Sequence, residues 1–220
     1  MNDLEKYKIA GQIHKKVRDF IYPQIKPMMK IIDICNIIEN KIKEEVTQSC
    51  SMYNLELQLN NGVAFPTGIS INDVVAHYTP NNYDITYIKE NDVIKIDYGV
   101  HIDGCIVDSA FTVNLNKKYT PLLDASREAV NSIIKEIGVD TKFSELSKLS
   151  KEIVESYEVS VNNKIKNITP IDNICGHNIK KWEIHGGKLL YGVPQKDDKQ
   201  VVSENDIMAI EIFASTGKGS

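Results

Sequence analysis

Apolar residues recur at three- and four-residue steps from Leu4 through Tyr7, Ala10, Ile13 and Val17 to Phe20. That stripe predicts an amphipathic helix over 3–21, ended by Pro23. Ile31, Ile34, Cys35, Ile38, Ile42 and Val46 repeat the pattern over 31–47, with charged residues on the other face. A polar stretch follows. Next, "NNGVAFPTGISINDVVAHYTPNN", dense in Gly, Pro and Asn, reads as strand and loop. Over 93–113 two alternating runs read as half-buried strands joined at Asp103-Gly104, a strong hairpin signal. Helical patterns return over 120–137, closed by Gly138, and over 144–157, striped by Phe143, Leu146, Leu149, Ile153 and Tyr157. Beyond Tyr157 the chain becomes short and strand-like, with turn signals at Asn162-Asn163 and Gly186-Gly187. Helices and strands mix without regular alternation, so an α+β fold is preferred to a doubly wound α/β one. No low-complexity linker or repeat divides the chain, and 1–220 reads as a single domain.

The hairpin raises a question of charge. With Asp103-Gly104 as the two-residue turn, Ile102 faces Cys105, and counting outward sets Asp97 opposite Ala110 and Gly99 opposite Asp108. The two aspartates are then diagonal neighbours on one sheet face, roughly 7–8 Å apart at the backbone. Like charges on a half-buried face repel, and desolvation pushes one of them to protonate unless something positive sits between them. A metal pair would do so.

Composition narrows the class. At 220 residues, 42% hydrophobic and 25% charged, the chain is an ordinary globular protein able to bury a full core. A net charge of −4 argues against nucleic acid as the main partner. The N-terminus "MNDLEKYKIAGQIHKK" has no signal-peptide core, and no segment approaches the roughly 18 apolar residues of a membrane span, so a cytoplasmic protein is expected. Cys35, Cys50, Cys105 and Cys175 are scattered without CxxC spacing and read as reduced thiols.

Of five histidines, His77, His177 and His185 lie in segments unlike a helix face, while His14 and His101 are assigned to the surface. Glu211 stands alone in the apolar, strand-like run "DIMAIEIFAS". Each residue has a bland reading: an aspartate facing water, a hydrogen-bonded loop histidine, a glutamate at a strand edge. Together, Asp97, Asp108, His177 and Glu211 form an oxygen-rich set with one imidazole, suited to Mn, Fe(II), Co or Zn.

Six segments then bear on family. "AFPTG" at 64–68, "AHYTPN" at 76–81, "KIDYGVHIDGCIVDSAFTV" at 95–113, "GHNI" at 176–179, "IHGGK" at 184–188 and "AIEIFASTGKG" at 209–219 together resemble a type 2 methionine aminopeptidase, motif by motif and in order. The resemblance implies the pita-bread fold, an α+β domain with a curved antiparallel sheet, outer helices and a two-metal site. It implies that Asp97 chelates one metal, Asp108 bridges both, His177 ligates the other, and Glu211 is both ligand and proton acceptor. By the same resemblance His77 lies beside the scissile amide and is the residue trapped by fumagillin-type epoxides, and His185 helps polarise the carbonyl. Phe65 and Ile184 would line the methionine pocket, whose apolar slot suits an unbranched thioether. The implied cofactors are two divalent ions (Co, Mn, Fe or Zn). The implied partners are N-terminal Met peptides of nascent proteins, with room for ribosome association though the N-terminus carries no tethering extension. A monomer without membrane or specific nucleic-acid contact is expected.

The family has a fifth metal ligand, a bridging glutamate well past "STGKG", together with a helical insertion and further strands. The chain stops at Ser220, so the resemblance implies a catalytic domain incomplete at its C-terminus, with four ligands of five. The leading expectation is an enzyme that removes the initiator methionine. The alternatives are a non-catalytic pita-bread protein binding RNA or protein, an inactive fragment of the enzyme, and a related dinuclear peptidase of the prolidase kind.

Overall fold

The structure, a computed structural model, describes residues 1–53 and 60–219. It divides into two compact units, Met1–Asn116 with Lys180–Ile184, and Lys117–Ile179 with His185–Ser220.

The first unit begins with α1 (Asp3–Ile21), opened by a capping box in which Asn2 Oδ1 accepts the Glu5 N–H and the Glu5 carboxylate accepts the Asn2 N–H. Pro23 follows in a short 3-10 turn, Tyr22–Gln24, as the sequence leads one to expect. The buried stripe of α1 is Ile9, Ala10, Ile13, His14, Val17 and Ile21, whereas Leu4 and Phe20 are exposed. α2 (Ile31–Tyr53) runs beyond the expected end at 47, because Ser49 and Cys50 continue its buried face. Part of the expected polar stretch, residues 54–59, lies outside the described residues. Strands β1 (Asn61–Val63), β2 (Gly68–Ile71), β3 (Val93–Ile102) and β4 (Cys105–Asn114) form an antiparallel sheet in which β3 pairs with the other three. The β3–β4 turn has positive φ at Asp103 (48°) and Gly104 (76°), as a type I′ hairpin turn requires. Helices α1 and α2 pack their apolar stripes with Ile69, Ile94, Ile96, Tyr98 and Val100 in one core.

The second unit contains α3 (Thr120–Glu136) and α4 (Phe143–Glu155), followed by seven short strands. β5 (Glu158–Val161) and β6 (Lys164–Asn167) form a hairpin whose turn residues Asn162 and Asn163 both have positive φ, 52° and 61°. β7 (Thr169–Pro170) pairs with β11 (Ala214–Ser215), and β8 (Cys175–Ile179) lies between β9 (Leu189–Tyr191) and β10 (Ile207–Ala209). The buried face of α4 turns onto Phe143, Leu146, Ser147, Ser150 and Val154, leaving Ile153 and Tyr157 half-buried at its edge. The chain bends at Gly186-Gly187, where Gly187 takes a positive φ of 103°, and a further turn lies earlier at Lys181-Trp182, where Trp182 takes a positive φ of 65° and its N–H donates to Gly104 O at 2.9 Å. Among the described residues no helix is long and apolar enough to cross a membrane.

Candidate functional site

The residues singled out by the sequence fall into two groups, one in each unit. In the first unit the register pairs Asp97 with Ala110 and Gly99 with Asp108, the diagonal relation counted from the turn. Strand alternation sends both carboxylates to one face, and both residues are half-buried. Phe65 sits in the bend between β1 and β2 on this same face, its ring against Gly99 Cα. The bend is tied down by Ala64 N–H, which donates to Gly99 O at 2.9 Å. His77 is exposed in the loop between β2 and β3 with a positive φ of 63°, a conformation uncommon outside glycine. Ile184 is half-buried at the end of the Lys180–Ile184 segment.

In the second unit His177 is 4% exposed on β8, opposite Ala209 of β10 and Leu189 of β9. Its Nε2 lies 3.8 Å from Glu211 Oε1, and its ring meets that of His185 edge-on at 4.4 Å between centroids. Glu211 does not lie within a strand, contrary to the sequence expectation: β10 ends at Ala209 and the chain runs irregularly to β11. Ladder pairing stops there, and the chain passes so close to Gly176 that a β-carbon on that residue would stand 2.5 Å from Ala209 O. Burial, and after it the Glu211 carboxylate, push the Cys175 thiol up, so sulfur beside this pair stays protonated.

The donors therefore stand as two aspartates on one ladder and a histidine–glutamate pair around β8. Among the described residues no three His, Cys, Asp or Glu side chains are grouped closely enough to hold a metal ion. In chemistry the set fits hard or borderline divalent ions: three carboxylates, one imidazole and no thiolate.

Sequence reasoning missed two residues here and misplaced two. Asn178 is 5% exposed, and its Oδ1 accepts Lys188 N–H at 2.8 Å while its backbone O accepts Gly186 N–H at 2.7 Å, which folds the His185 loop back beside His177. Gly99 admits the Phe65 ring, a role that the hairpin count could have suggested, since it places Gly99 opposite Asp108. His14, assigned to the surface, is 5% exposed and stacks on Tyr98 with ring centroids 4.0 Å apart. Burial holds its imidazole below the ordinary histidine value. His101, also assigned to the surface, is half-buried, and its Nδ1 accepts Gly104 N–H at 3.4 Å.

The chain is 39% identical over 218 residues to methionine aminopeptidase 2 of Kluyveromyces lactis, covering 99% of this chain and 51% of that protein. It is 41% identical over 218 residues to methionine aminopeptidase 2 of Schizosaccharomyces pombe, covering 99% and 48% respectively. It thus spans about half the length of the curated relatives it matches. The solved methionine aminopeptidase of Thermotoga maritima superposes with a TM-score of 0.78 at 22% identity, covering 99% of this chain and 82% of that one, a likeness that shows the α+β pita-bread fold. The sequence profile of Metallopeptidase family M24 matches residues 5–219, through both units, and the chain belongs to that family.

Proposed function

We propose that this chain carries the catalytic residues of a methionine aminopeptidase, which hydrolyses the N-terminal methionine from nascent proteins in the cytoplasm. The observation that carries the reading is the pairing of donors within each unit: Asp97 and Asp108 diagonal on the β3–β4 ladder, and His177 beside Glu211 at 3.8 Å. Identity of about 40% to type 2 methionine aminopeptidases across nearly the whole chain supports the substrate class. On this reading residues 1–220 belong to one metallopeptidase domain, and Asp97, Asp108, His177 and Glu211 are ligands to two divalent ions.

Two such ions, when bound, acidify water and polarise a carbonyl. The chain's own residues do the rest. Glu211 takes a proton from the attacking water and delivers it to the leaving amine, as general acid–base catalysis requires. His77 hydrogen-bonds the substrate amide, and His185 steadies the carbonyl oxygen as negative charge builds on it. Phe65 and Ile184 form the apolar wall for the methionine side chain.

The test is release of methionine from a Met-Ala-Ser peptide by the purified chain with added Mn²⁺ or Co²⁺, with ion uptake measured on the same sample. Release that is lost in Asp108→Ala supports the reading. Preference for Ala-Pro over Met-Ala replaces it with a prolidase reading. Absence of both uptake and release overturns it in favour of a non-catalytic binding protein.

A further inference from the structure

We infer that His14 is a positioning residue for the Asp97 and Asp108 carboxylates, acting through the backbone of the strands that carry them. The inference rests on the reading of those aspartates as metal ligands.

His14 is a polar ring in the apolar stripe of α1, which packs across β3 and β4. Burying an imidazole costs free energy unless its polar atoms are bonded, and an aliphatic side chain would fill the same stripe without that cost. The ring is bonded in a specific way. Nε2 lies 3.0 Å from Tyr98 O and 3.0 Å from Ser109 O. Both partners are carbonyl oxygens, so Nε2 carries the proton and shares it between them.

Those two carbonyls belong to one cross-strand pair, Tyr98 opposite Ser109, and each residue directly follows a carboxylate, Asp97 or Asp108. The imidazole therefore spans the ladder at the step where both aspartates leave it. Alternation turns the Tyr98 and Ser109 side chains toward one face and the aspartates toward the other, so the clamp does not obstruct the carboxylates. Tyr98 answers it: its hydroxyl donates to His14 O at 3.0 Å, and the two rings stack at an interplanar angle of 6°. Tyr98 is itself fully buried and meets Phe111 edge-on. Helix and hairpin are locked at the height of the carboxylates by three hydrogen bonds, two of them reciprocal between His14 and Tyr98, a degree of fixation that ligand geometry demands of its supporting residues.

Three variants test this in the intact chain. His14→Phe keeps ring volume and stacking but removes the donor, His14→Gln returns an N–H donor, and Tyr98→Phe removes only the answering bond. Mn²⁺ affinity is measured by calorimetry, and backbone amide exchange over 107–110 is measured on metal-free protein. The expected result for His14→Phe is about tenfold weaker Mn²⁺ binding with faster exchange over 107–110. His14→Gln should recover most of the affinity, and Tyr98→Phe should weaken it severalfold. A merely structural histidine predicts lower melting temperatures but wild-type Mn²⁺ affinity in every folded variant, and that result overturns the inference. Should His14→Phe fail to fold, wild-type affinity in Tyr98→Phe overturns it equally. Absence of Mn²⁺ uptake in the wild-type chain is a separate outcome that removes the ligand reading and the inference with it.

Discussion

The Phe65 ring occupies the place of a side chain on Gly99: a β-carbon there would lie 2.3 Å from Phe65 Cε1 and 2.8 Å from Ala64 Cβ. Gly99 faces Asp108 across the ladder and follows Asp97 by two residues on the same face. The missing side chain thus lets an aromatic wall stand directly beside both carboxylates.

Gly99→Ala should expel that ring. The ring must swing off Gly99 and the Ala64 methyl must shift with it, so overpacking of about 1–3 kcal/mol is expected. Thermal unfolding should show the lower stability, and the ring resonances of Phe65 should move in NMR spectra. A variant with wild-type melting temperature and unmoved Phe65 resonances would show that the bend absorbs a methyl freely.

Gly176→Ala should act on the other pair. Its new β-carbon would press on Ala209 O at 2.5 Å and Glu211 N at 3.1 Å, both backbone atoms with little room to move. The Glu211 segment must shift away from β8, and the 3.8 Å approach of Glu211 to His177 lengthens with it. Divalent-ion affinity is expected to fall by tenfold or more. Calorimetric titration with Mn²⁺ checks this, and unchanged affinity would mean that the pair does not need its present spacing.

The aspartate relation was legible in sequence because Asp-Gly selects a two-residue turn, and that turn then determines the register of every residue along both strands. The C-terminal end of α1 was legible for a similar reason, since Pro23 acts locally. His14 was not. In "QIHKKVRD" a lone histidine among charges looks solvated, and only tertiary packing reveals that it lies between Tyr98 and Ser109. Glu211 was misread as a strand residue because an apolar run carries no sign of where its ladder pairing stops, which is at Ala209. The nearness of His177 and His185 was likewise hidden, since it depends on a loop closed through a buried asparagine.

Glu45 should give the fold an acid-sensitive component away from the candidate ligands. Burial pushes its carboxyl up, but the Lys41 and Lys16 ammonium groups, 2.9 and 3.0 Å away, outweigh burial and leave it below the ordinary glutamate value of 4.5. A carboxyl lowered in the folded state binds protons more weakly there than in the unfolded chain. Its stabilisation is therefore complete above pH 4.5 and is lost as pH falls through the lower folded value. Glu45→Gln should cost about 1 kcal/mol at pH 7, and the gap to wild type should close below pH 4.5. Urea unfolding of both proteins across pH 3–7 measures that gap, and a gap independent of pH would exclude the ionised carboxylate as its source.

Asn178→Ala should separate histidine orientation from ion binding. Asn178 Oδ1 holds the Lys188 N–H and its backbone holds both Gly186 and Lys188, so the loop bearing His185 closes on one buried side chain. Removing the amide leaves the Lys188 N–H without that acceptor and frees His185 to leave the edge of His177, while His177 and Glu211 keep their backbone positions on and after the neighbouring strands. If His185 steadies the carbonyl, as proposed, methionine release should fall about tenfold through kcat with Mn²⁺ affinity unchanged. Loss of affinity alongside rate would instead place Asn178 in support of His177, and an unchanged rate would mean that His185 reaches its working position without the loop being held.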